Sequence, residues 1–112
     1  MFKLFKKPVH AEVSPSELHA LLGAGKAVLV DVREADEFAA GHVDGALSMP
    51  LSGFQATRLP QPPGKIVILT CAAGRRSAMA LDRAAAARPD VSTHLAGGMG
   101  AWRSAGLPMV QG

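Results

Sequence analysis

The sequence predicts an α/β fold built on a parallel sheet, and three observations carry that prediction. Short apolar runs of strand length alternate along the chain with segments of helical composition, the pattern of strands joined by crossover helices. The run at residues 27–31 is apolar up to its closing Asp31 rather than alternating, as in a strand covered on both faces. The length of 112 residues, with 48% hydrophobic and 19% charged, suits a single domain with a real core. A tail over residues 1–9 followed by one domain over residues 10–112 is the expected organisation.

Taken in order, residues 1–7 mix lysines with four apolar residues, and no apolar core segment or small-residue cleavage site follows, so the expectation is a flexible basic tail rather than a signal peptide. Residues 10–13 suit a first strand. Ser14-Pro-Ser-Glu17 then matches a capping box with proline at the first helical position, predicting a helix over residues 15–22 that ends at Gly23 and Gly25. Residues 27–31 form the second strand, and residues 31–38 leave it to enter a short helix. Gly41 and Gly45 bracket a turn before a third strand at residues 46–48. Residues 51–58 are read as a short helix, and Pro60-Gln-Pro-Pro-Gly64 as a linker. Residues 66–70 are a core strand, residues 76–87 an alanine-rich helix stopped by Pro89, and residues 92–95 a fifth strand. Gly97-Gly98 opens a turn into a brief helix at residues 99–104, with Gly106 and Pro108 beyond its end.

The single cysteine, Cys71, falls where the fourth strand meets the following helix. That is the carboxyl edge of an open α/β sheet, where such folds place ligands. A helix amino terminus and nearby cations lower a thiol's pKa, and Arg75 and Arg76 follow within the same loop. Gly74 permits a left-handed turn that would converge amides on one anion. One cysteine excludes an internal disulfide and points to a reducing, cytoplasmic setting or a reactive thiol. No apolar run is long enough to span a bilayer, so no stable membrane insertion is expected. The net charge of +3 is scattered and aromatic residues make up only 4%, which argues against nucleic acid and for attraction of small anions.

From residue 10 to residue 108 the chain resembles the rhodanese (sulfurtransferase) domain family. Three blocks carry the resemblance in order: Asp31-Val-Arg-Glu with Glu37-Phe and Gly41-His-Val-Asp-Gly-Ala; Cys71-Ala-Ala-Gly-Arg-Arg-Ser77; and Leu95-Ala-Gly-Gly-Met-Gly-Ala-Trp-Arg-Ser-Ala-Gly-Leu-Pro108. The resemblance implies a three-layer α/β/α fold around a five-stranded parallel sheet. It also implies a sulfurtransferase of the thiosulfate type, in which Cys71 takes a sulfane sulfur from a small anionic donor, thiosulfate or a persulfide. The sulfur is held as a persulfide and passed to cyanide, a thiol or a sulfur-relay protein. Cys71 would be the nucleophile, and the loop of Ala72, Ala73, Gly74, Arg75, Arg76 and Ser77 would hold the persulfide and receive the donor, with no cofactor and no metal.

Relatives of the phosphatase and arsenate reductase branch place an arginine after five intervening residues. Here Arg75 follows three, Arg76 follows four, and the sixth position is Ser77, a shorter loop that suits sulfur better than a phosphoryl group. A non-catalytic interaction module is the other alternative, although such modules commonly lack the cysteine. Asp31 and Arg33 are expected to support the site, as a salt bridge or cap more than as direct participants. His42 is expected at a turn or surface rather than as a base. His10, His19 and His94 show no metal-ligand spacing. Trp102 reads as a core anchor and the methionines as gap fillers.

Overall fold

Five parallel strands form the middle layer of the structure, a computed structural model that describes residues 10–112. The tail expected over residues 1–9 lies outside the described residues. Across the sheet the order is β1 (Ala11–Val13), β5 (Thr93–Leu95), β4 (Ile66–Thr70), β2 (Ala27–Asp31) and β3 (Leu47–Ser48). The helices are α1 (Pro15–Gly23), α2 (Ala35–Ala40), α3 (Arg75–Ala84) and α4 (Gly98–Ser104). This is the expected three-layer arrangement, and no helix among the described residues is long and apolar enough to cross a membrane.

The centre of the sheet is apolar because both of its faces are covered. Val67 and Leu69 of β4 join Ala80, Leu81 and Ala84 of α3 in one core, while Ile68 joins Leu18 of α1 and Met99 and Trp102 of α4 in the other. Side chains alternate across a strand, so consecutive residues of β4 serve opposite layers. Truncating Ile68 or Leu69, both fully buried, to alanine would cost about 2–5 kcal/mol. β4 pairs with β2 over the full register from Ala27↔Ile66 to Asp31↔Thr70, so both strands end at one edge.

Local signals set several boundaries. Ser14 Oγ accepts from the Glu17 amide at 3.1 Å while the Ser14 amide donates to Glu17 Oε1 at 2.8 Å, which completes the capping box of α1. The two largest departures from the sequence expectation have identifiable causes. Residues 51–58 form two separate 3-10 turns, Leu51–Gly53 and Ala56–Arg58, with extended backbone between them at Phe54 and Gln55. The break lets Leu51, Phe54 and Ala56 all lie against the core beneath α3. The helix α3 ends at Ala84 rather than residue 87, despite the alanines that follow. Arg88 overrides their propensity: it is 6% exposed, and its guanidinium donates to the carbonyls of Leu59 (2.8 Å) and Pro60 (2.9 Å) and pairs with Asp90. Pro89 also disfavours helical backbone at the residue before it.

Candidate active site

The loop between β4 and α3 turns on Gly74, whose φ of +109° lies in the left-handed region that a side chain rarely adopts. That turn brings the Gly74 amide to 3.1 Å from Cys71 Sγ, to which it donates. The loop's carbonyls point the other way. Met99 N–H donates to Cys71 O at 2.7 Å and Gly100 N–H to Ala72 O at 2.9 Å, so the start of α4 holds the far side of the loop. Gly98 makes this contact possible. A Cβ there would strike the Cys71 carbonyl and lie 2.7 Å from the Ala72 carbonyl carbon, and its φ of +60° is also left-handed.

Cys71 is 1% exposed, and burial alone pushes its thiol pKa up. The hydroxyl of Ser77 and the amides of Ser77, Gly74 and Ala73 outweigh that effect and hold it below its ordinary value. The stabilising groups are therefore hydrogen-bond donors fixed by the loop, with only a short reach around one sulfur atom.

The two arginines of the loop have different fates. Arg75 is exposed at the first turn of α3. Arg76 instead donates both terminal nitrogens to Glu37, at 2.6 and 2.9 Å, so the expectation that both arginines stand ready for an incoming anion is corrected for Arg76. This pair holds the Glu37 carboxyl down to about 2, chiefly through the hydrogen bonds from Arg76. The negative charge of Cys71 adds to the forces that raise the Arg76 pKa, so its guanidinium acts on the site as a fixed positive charge.

Asp31 and Arg33 sit at the same edge, 0% and 5% exposed. Arg33 donates through Nε and Nη2 to the Asp31 carboxylate, the latter at 2.7 Å, and through Nη2 to the Gly41 carbonyl, also at 2.7 Å. They brace the two ends of the segment that carries α2, and α2 carries Glu37. Their link to Cys71 thus runs through the Glu37–Arg76 pair.

His42, expected at a turn or surface, lies just before the turn at Asp44 and Gly45 but is only 8% exposed: its ring stacks on Phe38 with centroids 3.8 Å apart, and its Nδ1–H donates to the Phe38 carbonyl at 2.8 Å. Trp102 is 1% exposed and donates to the Pro108 carbonyl at 3.0 Å, a core anchor for α4. Met99 fills the core, whereas Met79 is 41% exposed on α3 and fills no gap. Sequence reasoning missed three contributors: Glu37 as the partner of Arg76, Gly98 as the seat of the loop, and His94, whose Nδ1 lies 2.7 Å from Ser77 Oγ. The glycine pair at 97–98 was the one legible signal, since consecutive glycines mark close backbone approach as well as turns.

Comparison with known proteins agrees with this geometry. The chain is 40% identical over 99 residues to an uncharacterised protein of Synechocystis sp., covering 88% of this chain and 55% of that one. It is 31% identical over 112 residues to the chloroplastic thiosulfate sulfurtransferase 16 of Arabidopsis thaliana, covering 89% of this chain and 92% of the relative. The chain spans about half or less of the length of most of the curated relatives it matches. A thiosulfate sulfurtransferase from Pseudomonas aeruginosa superposes with a TM-score of 0.79 at 27% identity, over 96% of this chain and 20% of that one. The model of the rhodanese-like domain matches residues 14–105, nearly the whole of the described chain, and with the five-stranded sheet and the cysteine loop at its edge it shows that the protein belongs to the rhodanese-like domain family.

Proposed function

We propose that this protein is a sulfurtransferase that carries a sulfane sulfur on Cys71. The observation that supports this reading best is the cradle itself: a buried thiol whose pKa is lowered by donors converging on one atom, with the nearby Arg76 committed to Glu37. Such a site suits a single sulfur anion more than a tetrahedral phosphoryl group, which needs a ring of donors and a free guanidinium. The names of the Arabidopsis and Pseudomonas relatives point to thiosulfate as the donor.

In the first step the Cys71 thiolate attacks the outer sulfur of thiosulfate, the S–S bond of the donor breaks, and sulfite leaves with the electron pair. Cys71 then bears a persulfide, whose terminal anion can accept from the same loop amides. In the second step cyanide or a thiolate attacks the outer sulfur and the Cys71 thiolate is released. The exposed guanidinium of Arg75 suits attraction of the donor's sulfonate end. A small thiol or a sulfur-relay protein in a reducing compartment such as the cytoplasm would be the physiological acceptor.

Incubation with thiosulfate followed by intact mass measurement is expected to add one sulfur atom to the wild type and none to Cys71→Ala. A wild type that stays unmodified would overturn the reading. Hydrolysis of an aryl phosphate without any persulfide would instead favour phosphatase chemistry, and partner binding that survives Cys71→Ala in an inert protein would favour an interaction module.

A further inference from the structure

Beneath Cys71, on the side away from solvent, a line of polar side chains runs into the sheet. Cys71 Sγ lies 3.5 Å from Ser77 Oγ, Ser77 Oγ lies 2.7 Å from His94 Nδ1, and His94 Nε2 lies 3.5 Å from Glu12 Oε2. Ser77 is 0% and His94 6% exposed, whereas the Glu12 side chain is 42% exposed at the rim. The three partners come from α3, β5 and β1, so the line exists only because β5 lies between β4 and β1.

We infer that Ser77 and His94 form a proton relay for Cys71, in which Ser77 bonds the reacting sulfur and His94 acts through Ser77 as a positioning residue. The inference rests on the reading of Cys71 as the nucleophile. A serine hydroxyl has one proton to donate, so the wiring has two forms. With the thiol protonated, Cys71 S–H donates to Ser77 Oγ and the Ser77 hydroxyl donates to His94 Nδ1. On ionisation the S–H bond breaks and its proton bonds to Ser77 Oγ, while the former hydroxyl proton passes to Nδ1. The thiolate then accepts from the Ser77 hydroxyl and from Gly74 N–H, and the imidazolium turns Nε2–H toward the Glu12 carboxylate. One proton has moved from sulfur to nitrogen, and no electrons have been gained or lost.

A purely structural reading of Ser77 would have its hydroxyl closing the first turn of α3 on the Gly74 carbonyl, but that contact is 3.2 Å, longer than the one to His94. Four charged or titratable groups surround the His94 ring. Glu12 faces it from β1, the His10 ring meets it edge-on at 6.3 Å, and His10 in turn bonds Asp82 of α3 at 2.7 Å; Cys71 stands beyond Ser77. Burial lowers the His94 pKa, the Glu12 charge opposes this and His10 adds to it, so the ring rests neutral, with Nδ1 placed by geometry to accept from Ser77. The proton's way out is Glu12 at the half-exposed rim.

The test is the pH dependence of Cys71 alkylation by iodoacetamide, which reports thiolate without requiring sulfur transfer. Asparagine at 94 can still bond the Ser77 hydroxyl but cannot titrate, so His94→Asn retains a structural role and removes the relay. His94→Asn is expected to move the inflection to higher pH and slow alkylation near pH 6.5 by about 3- to 10-fold, with rates near pH 10 agreeing within about 2-fold. Glu12→Gln, at the rim and safe for folding, is expected to shift the profile the same way by less. By reciprocity the imidazole pKa of His94, followed by NMR, should be lower in Cys71→Ala than in the wild type. Profiles of wild type, His94→Asn and Glu12→Gln that superimpose, or a His94 titration indifferent to Cys71→Ala, would overturn the relay. A shifted profile in a protein that never forms a persulfide would leave the relay standing and overturn the sulfurtransferase reading instead.

Discussion

The two sides of the loop from Cys71 to Ser77 are held in opposite ways. On the carbonyl side, α4 meets the loop through backbone alone: two amides, two carbonyls and a glycine with no room for a Cβ. On the amide side, the sulfur is surrounded partly by amides and partly by side chains, with Ser77 and His94 below and the Arg76–Glu37 pair beside it. The first side demands space at one position and is indifferent to most chemistry. The second depends on which functional groups are present, and its energetics are tunable by pH.

The contrast breaks most severely at Gly98. Gly98→Ala forces a Cβ into the backbone of Cys71 and Ala72 and imposes a left-handed φ on a side chain, so about 3 kcal/mol or more of stability should be lost in urea unfolding. Persulfide formation by the remaining folded protein should fall as well, because the amides around the sulfur lose their register. Retention of full stability would show that α4 does not seat the loop.

A smaller, pH-dependent effect is expected on the other side. Arg76→Met removes the partner that holds Glu37 at about 2, a pair about one-third exposed on each side and worth about 1 kcal/mol. The sign follows from a lowered carboxyl pKa: the contribution is fully present above the unfolded value of 4.5 and lost as pH falls through about 2. The stability difference between wild type and Arg76→Met should therefore be greatest near neutral pH, narrow in acid and vanish below about pH 2. A difference that stays constant across that window would assign the effect to packing rather than charge.

Arg75 should matter least to the fold. Arg75→Ala is expected to change stability by less than about 0.5 kcal/mol, since the side chain is exposed. In a thiosulfate assay it should raise KM about 2- to 5-fold with kcat nearly unchanged, the mark of a group that attracts donor without entering the reaction. An unchanged KM would move the anion's approach elsewhere.

Much of this architecture is legible in the chain because its causes are local. Ile66–Thr70 matches its expected span since five residues of that composition have no better use than a buried strand, and Ser14 and Glu17 stand at the spacing a capping box requires. Gly74 and Cys71 are also near neighbours, so a thiol facing an amide could be read from the loop. Where local propensity and distant contacts disagreed, the distant contacts won: the alanines after Ala84 leave the helix because Arg88 is drawn to the carbonyls of Leu59 and Pro60. His42 likewise reads as a turn or surface residue, and only the Phe38 ring stacked against it accounts for its burial.

The sequence by itself determined that strands alternate with helices, that one cysteine ends the central strand, and that Arg76 follows it after four intervening residues. Tertiary structure alone decided what surrounds that cysteine. Arg76 is tied to a carboxylate 39 residues earlier, Ser77 to a histidine 17 residues later, and the loop itself to a glycine in the last helix. The physical reason is that apolar patterning says which segments become strands but not their order across the sheet. Only the order β1-β5-β4-β2-β3 places His94 and Glu12 in line beneath Cys71.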